Sequence, residues 1–208
     1  MFKQEAEWIK EVLANIYPLN GYNSVANLGS STIEFRTKVQ PHIHNCITLP
    51  LENKGWKISH VDFKKEDGVD IVADLTNIQF GEKFKNRFAV TICTNMLEHV
   101  ENIGHVINNL LTVTKNNGYI LITVPYKYKI HHDPIDNGFR PTPNEIYSLF
   151  SGNNINVQDI AHGIITITDK SYYRVKKSRI PFWGYRERLM YYFGKRHKVS
   201  GILLKIHK

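Results

Sequence analysis

Cysteine is scarce in this chain, and its scarcity narrows the chemistry. Cys46 and Cys93 are the only two among 208 residues, too few for a disulfide framework and not spaced as a paired metal site. Cys93 sits in an apolar run and Cys46 has no activating neighbour in sequence, so neither is read as a catalytic thiol. A reducing cytoplasm is the expected compartment. No apolar run approaches the roughly 18 residues of a membrane span. The opening MFKQEAEWIKEVL mixes acids with bases, unlike a secretory signal. Repeats and low-complexity stretches are also lacking. Acid is short in one place: residues 174–208 hold eleven Lys or Arg against Glu187 alone, whereas residues 1–173 hold sixteen bases and eighteen acids. The net charge of +8 therefore belongs to the tail, and any anionic partner it implies concerns that tail.

What is present is the material of one globular domain. Trp8, Ile9, Val12, Leu13 and Ile16 stand at helical spacing and predict a helix over 2–17, ended by Pro18, Asn20 and Gly21. SVANL reads as a short strand, and residues 32–40 read as a helix that stops before Pro41; residues 41–57 read as irregular, with a short helix around Pro50. KISHVDF, GVDIVADL, RFAVTICTN and YILITVP read as further strands, the last two as buried ones. Val100, Ile103, Val106, Ile107, Leu110 and Leu111 mark a helix packed on a sheet. PNEIYSLF is a helix with Pro143 at its first position, and INVQDIA and GIITITD read as closing strands. Strands alternating with helices imply a doubly wound, mostly parallel α/β sheet whose late strands form an antiparallel edge. The expected organisation is an α/β domain over 1–173 and a basic, aromatic extension over 174–208.

In such a sheet ligands sit beyond the carboxyl ends of the strands. Gly29, Ser31, Asp62, Asp74, Asn95 and the loop after Pro125 all fall at such ends and are expected on one rim. Asp62 suits the two hydroxyls of a ribose, or else caps local backbone amides. Asp74 suits an adenine amino group, with the Leu75 amide facing the ring, or else caps the segment that follows. A dinucleotide-binding oxidoreductase would need Gly-x-Gly-x-x-Gly, of which GSSTIE supplies only the first glycine.

MLEHV at 96–100, NNGYILITVP at 116–125 and VDIVADLTN at 69–77, in that order, resemble class I S-adenosylmethionine-dependent methyltransferases. The resemblance spans roughly residues 22–150 and implies a Rossmann-like methyltransferase fold with S-adenosylmethionine as cofactor. It implies a cofactor site of Asn27, Gly29, Ser31, Asp62, Asp74, Leu75 and Asn95, with Glu98 and His99 near its edge. One segment departs from the pattern. Where the family carries an acid two residues before Gly-x-Gly-x-Gly, this chain has Asn27, then Gly29, Ser31 and Ile33. Glycines there permit positive φ and close backbone approach, so a working but altered loop and a degenerate one both remain open.

HHDPIDNGFRPTPNEIYSLF resembles a bacterial subgroup in surface-polysaccharide or nucleotide-sugar pathways. By the resemblance this loop meets the acceptor, which implies catalytic roles for His131, His132, Asp133 and Arg140. His132 or Asp133 is the expected base, taking a proton from an acceptor hydroxyl. Metal ligation by the two histidines and the Asp, or a plain polar loop, are the competing readings, and no metal is assigned. Arg140 would hold an acceptor phosphate or carboxylate, or else brace the loop against Asp133 or Asp136. Tyr126 and Tyr128 line the cavity or lie exposed. The expected function is methyl transfer to an oxygen or nitrogen of a small-molecule or glycan-linked acceptor, in polysaccharide biosynthesis. The alternative is a non-catalytic binding module that kept the fold. The basic tail points to an anionic membrane surface, hence to a peripheral position at the inner membrane. Nucleic acid is the least expected partner, and the sequence does not set the oligomeric state.

Overall fold

The computed structural model describes residues 1–18, 22–131, 135–151, 155–173, 193–194 and 196–208. The chain opens with α1 (Lys3–Val12), followed by β1 (Ser24–Leu28). A helical run comes next: a π-helical turn at Phe35–Val39, α2 (Pro41–Ile43), a second π-helical turn at His44–Thr48, and α3 (Leu49–Asn53). Then come β2 (Lys57–Asp62), β3 (Ile71–Val72), α4 (Ile78–Lys83), β4 (Phe88–Thr94) and a 3-10 turn at Leu97–His99. The remaining elements are α5 (Ile103–Val113), β5 (Thr114–Lys127), α6 (Pro143–Ser148), β6 (Asn156–Thr166) and β7 (Lys198–His207).

The strands form one sheet in the order β3-β2-β1-β4-β5-β7-β6. The first five are parallel, and β7 runs antiparallel to both β5 and β6. This is the doubly wound sheet with an antiparallel edge that the alternation of elements implies. Its middle strands are buried on both faces: all but the last residue of β4 are buried, as a central parallel strand requires. One face packs α4, α5 and α6 through Phe80, Val106, Leu110 and Ile146. The other packs α1 and the 35–53 helical run through Ala6, Ile9, Leu13, Ile47 and Leu51.

Several elements differ from expectation: α1 ends at Val12 rather than at residue 17, β3 is only Ile71–Val72 within GVDIVADL, and α4 stands where no helix was expected. The helical run continues through Pro41 and Pro50 to Asn53, because each proline sits in the first turn of a helical segment, where no amide is needed. INVQDIA and GIITITD join into the single strand β6. Residues 198–207, placed by sequence in the extension, form β7 between β5 and β6. Its apolar residues are hidden among the bases of the tail, and six consecutive positions from Val199 to Leu204 are buried. Of the basic, aromatic extension expected over 174–208, only residues 193–194 and 196–208 are among the described ones. Trp8 of α1 locks the same strand from outside: a Cβ on Gly201 would stand 2.5 Å from Trp8 Cζ3.

Candidate active site

The rim at the carboxyl ends of β1, β2 and β4 begins with the glycine-poor loop. Gly29 has φ +72° and Ser31 has φ +56°, so the serine adopts the left-handed backbone a second glycine would take. That conformation costs a non-glycine residue ~1–2 kcal/mol. Hydrogen bonds offset the cost. The amides of Gly29 and Ser30 donate to the Val61 carbonyl (2.9 and 3.0 Å), and the Ser31 amide donates to Asp62 Oδ2 (2.8 Å). Beneath the turn lies Arg36, only 3% exposed. Its Nη1 donates to the carbonyls of Ser30 (3.0 Å) and Ser31 (2.6 Å), and its Nη2 to that of Gly68 (2.9 Å). Burial lowers its pKa, while Asp70, Asp62 and Asp67 pull the other way; the guanidinium stays a cation and clamps three carbonyls. Gly29 itself is required, since a Cβ there would meet Met96 Cγ at 2.9 Å. Ile33 at the third glycine position lies in the first helical turn after the loop.

Asn27 stands opposite His60 in the β1–β2 pairing, and its Nδ2 lies 3.2 Å from His60 Nδ1. Burial first, then the Arg36 charge, pushes His60 down to about 4. The ring is neutral at pH 7, its Nδ1 accepting from the amide. A carboxylate at position 27 could not make that bond to an unprotonated nitrogen.

Asp62 ends β2 with Oδ2 on the Ser31 amide and Oδ1 on the Lys64 amide (3.3 Å). Asp74 lies two residues past β3 in a turn, its Oδ1 accepting from the amide (2.8 Å) and hydroxyl (2.7 Å) of Thr76. Leu75 is buried, and its carbonyl accepts from Asn109 Nδ2 (2.9 Å). Asn95 has φ +49°; its amide donates to the Thr123 carbonyl (2.9 Å). Its side chain turns to Glu5 of α1 (Nδ2 to Oε1, 2.7 Å), where Thr123 Oγ1 also donates (2.6 Å). The Asn95 side chain is thus committed to the protein, which leaves its backbone to face the rim.

The loop after β5 is tied down by Asp136, whose carboxylate accepts from Arg140 Nη2 (2.6 Å) and from the amides of His131 and Gly138 (both 2.9 Å). Burial opposes its ionisation, yet these donors hold the carboxyl well below the usual range. Arg140 also reaches the carbonyls of Phe139, Tyr128 and Lys129, the bracing role among its two readings. His131 Nδ1 lies 3.1 Å from Asp136 Oδ2 without hydrogen-bond alignment. Its ring stands edge-on to His99 and Tyr128. Tyr128 in turn packs on Phe2 and His197. His132 and Asp133 lie outside the described residues, and no three metal-binding side chains converge among the described ones. Asn137 fastens this loop to the turn after β4, donating to the carbonyls of Leu97 (2.9 Å) and Val100 (2.7 Å). In that turn Glu98 is fully buried, with neither carboxyl oxygen hydrogen-bonded.

The fold with strand order β3-β2-β1-β4-β5-β7-β6 agrees with what comparison with known proteins shows. A family model described as a methyltransferase domain matches residues 42–162. The chain belongs to this methyltransferase family. S-adenosylmethionine is its cofactor, and the rim fits it: Gly29 leaves backbone bare, and Asp62 and Asp74 stand at successive loops. The matched span begins after the glycine-poor loop. No curated protein sequence matches the chain. Solved structures share the fold at low identity. An S-adenosylmethionine-dependent methyltransferase from Archaeoglobus fulgidus is 12% identical with a TM-score of 0.54, over 96% of this chain and 94% of that one. Geranyl diphosphate C-methyltransferase from Streptomyces coelicolor A3(2), bound to Mg2+, geranyl diphosphate and S-adenosyl-L-homocysteine, is 11% identical with a TM-score of 0.60, over 97% and 76%. The [4+2]-cyclase SpnF has a TM-score of 0.60 at 12% identity, over 97% and 81%. Arg36, Glu5 and the burial of Glu98 were not found from sequence; the only signal was a lone arginine in the helix that follows the loop.

Proposed function

We propose that this methyltransferase methylates an oxygen or nitrogen of a small-molecule or glycan-linked acceptor, in surface-polysaccharide biosynthesis. The observation that carries the reading is the loop after β5. Asp136, Arg140 and Asn137 hold it against the β4 turn and so keep His131, His99 and Tyr128 together. A polar loop so braced presents imidazole nitrogens beside an apolar, ring-lined wall, which suits an acceptor that must lose a proton.

When bound, S-adenosylmethionine supplies a methyl group already activated for transfer. What the chain's own residues do is hold and orient. Gly29 and Ser31 offer backbone, Asp62 the ribose contact, Asp74 and the Leu75 amide the adenine contact, and Asn27 and Asn95 complete the wall. The acceptor-side roles fall to His131, His132 and Asp133, with His132 or Asp133 as the proton-accepting group and Arg140 bracing the loop after β5. Alignment supplies most of the rate where the methyl is pre-activated.

The acceptor is read as anionic. Geranyl diphosphate methyltransferase, which shares the fold, binds a diphosphate, and the bases of residues 174–208 would favour a phosphorylated or lipid-linked acceptor at an anionic membrane surface. Among the described residues no helix is long and apolar enough to cross a membrane; the contact proposed is peripheral, at the inner membrane surface, and is carried by the tail's charge alone.

Calorimetric titration with S-adenosylmethionine and S-adenosylhomocysteine tests the reading first. We expect micromolar binding that weakens about 100-fold or more in Asp62→Ala, since that change removes both the ribose acceptor and the Ser31 anchor, each a charge-assisted bond of ~1.5–3 kcal/mol. Binding unaffected by the substitution would remove Asp62 from the site. No binding at millimolar cofactor would leave the non-catalytic module in its place.

A further inference from the structure

We infer that Glu98 is the residue through which this methyltransferase distinguishes its positively charged cofactor from the neutral product, S-adenosylhomocysteine. The inference rests on the reading that the rim binds S-adenosylmethionine.

Glu98 is 0% exposed, and among the described residues neither of its carboxyl oxygens is hydrogen-bonded to another residue. A buried polar group in that state calls for an explanation. Among the described residues no counter-charge is hydrogen-bonded to it. Glu5 comes from α1, Cys93 from β4, and Asp136 and Arg140 from the loop after β5. Arg140 is already committed to Asp136 and to three carbonyls. His99 Nε2 lies 3.8 Å from Glu98 Oε1, within ion-pair range when the imidazole is protonated but beyond hydrogen-bond reach. Burial foremost, with Glu5 and Asp136 adding repulsion against the pull of its own backbone amide and of Arg140, raises Glu98 to about 8. At pH 7 it is mainly a neutral acid.

Its place in the fold says what would change that. The sheet order reverses between β1 and β4, and ligands of doubly wound sheets sit at this switch point. Glu98 lies in the turn that leaves β4 there, two residues from Met96, which packs against Gly29 at the foot of the first loop. The cofactor and its product differ at one atom: a cationic sulfur in one, a neutral thioether in the other. A cation nearby favours the carboxylate over the acid. One proton therefore leaves the Glu98 carboxyl for solvent as the cation enters, and no bond to the cofactor is made. The neutral product gives no such stabilisation, so the site favours the reactant and lets the product go.

The test needs no acceptor. Calorimetry at pH 7 in two buffers of different ionisation enthalpy counts the protons released by each ligand. The sulfonium makes the ammonium of S-adenosylmethionine the stronger acid; titrating each free ligand corrects for this, and the remaining difference isolates the sulfur. Wild-type protein should release up to one proton more with S-adenosylmethionine than with S-adenosylhomocysteine. In Glu98→Gln that difference should vanish, and the preference for the charged ligand should fall about tenfold for each pKa unit of coupling lost. Should the variant not fold, wild type alone decides, because the proton difference must disappear above pH 9, where Glu98 is already ionised. Equal release by both ligands at pH 7, or a difference that survives in Glu98→Gln or above pH 9, would overturn the inference while leaving the cofactor reading intact. Failure of wild type to bind either ligand would overturn both.

Discussion

Asn27 and His60 fix each other's state. The amide donates to a ring nitrogen that must be unprotonated, and burial keeps it so by pushing His60 from 6.5 to about 4. Because the folded pKa is depressed, the stabilisation is complete above 6.5 and is lost as pH falls toward 4. Restoring the family's acid should reverse the logic. In Asn27→Asp a carboxylate would face Nδ1 and favour the imidazolium, so an NMR titration of His60 should show its pKa rising by at least about one unit. An unmoved His60 would mean that the pair is not coupled. The same comparison shows what could be read along the chain. That position 27 had lost its acid was plain; that His60 complements the amide was not, since the two residues meet only when β2 pairs with β1. Ser31 is similar. The missing glycine was visible, but its retained φ depends on Arg36 and Asp62, which are neighbours only in the fold.

Elements with strong periodicity were legible, and those defined by distant partners were not. α5 follows its apolar stripe, and α6 starts at Pro143 behind the Thr142–Glu145 capping box. β4 is apolar throughout. By contrast, the π-helical turns of 35–48 break the 3.6 period that would have marked one helix. α1 was read correctly as amphipathic, yet its most consequential residue is polar. Glu5 is fully buried and collects the Phe2 amide (3.1 Å), Asn95 Nδ2 and Thr123 Oγ1. It fastens the first helix to the carboxyl ends of β4 and β5 and sets the Asn95 backbone at the rim. Glu5→Ala strands the buried Thr123 hydroxyl and the part-buried Asn95 amide, at ~1–3 kcal/mol each. The melting temperature should fall by roughly 5–15 °C for a domain of this size, and cofactor affinity should fall with it. Glu5→Gln, which keeps an acceptor oxygen, should recover much of both in calorimetric melts. An Ala variant as stable as wild type would show that α1 is not held by this carboxylate.

At the scale of the whole molecule, the alternation of strands and helices was enough to give a doubly wound sheet, but not to place its last strand. β7 comes from the chain terminus, lies between β5 and β6, and buries Ile202, Leu203 and Leu204. A basic tail and a core strand overlap in sequence. Deleting residues 174–208 would therefore remove part of the core along with the charge, and a loss of membrane binding would say nothing about electrostatics. The charge has to be changed without touching β7. Arg174, Lys176, Lys177 and Arg179 lie before it and can be replaced together by glutamine. Each base near an anionic surface contributes ~1 kcal/mol. Co-sedimentation with phosphatidylglycerol vesicles should weaken by a factor of roughly 100 to 1,000 in the quadruple variant. Wild type should lose its binding as salt shortens the Debye length, and neither protein should bind phosphatidylcholine vesicles. If wild type and variant sediment alike, the tail's charge serves something other than the membrane, and a soluble phosphorylated acceptor becomes the better reading of the same bases.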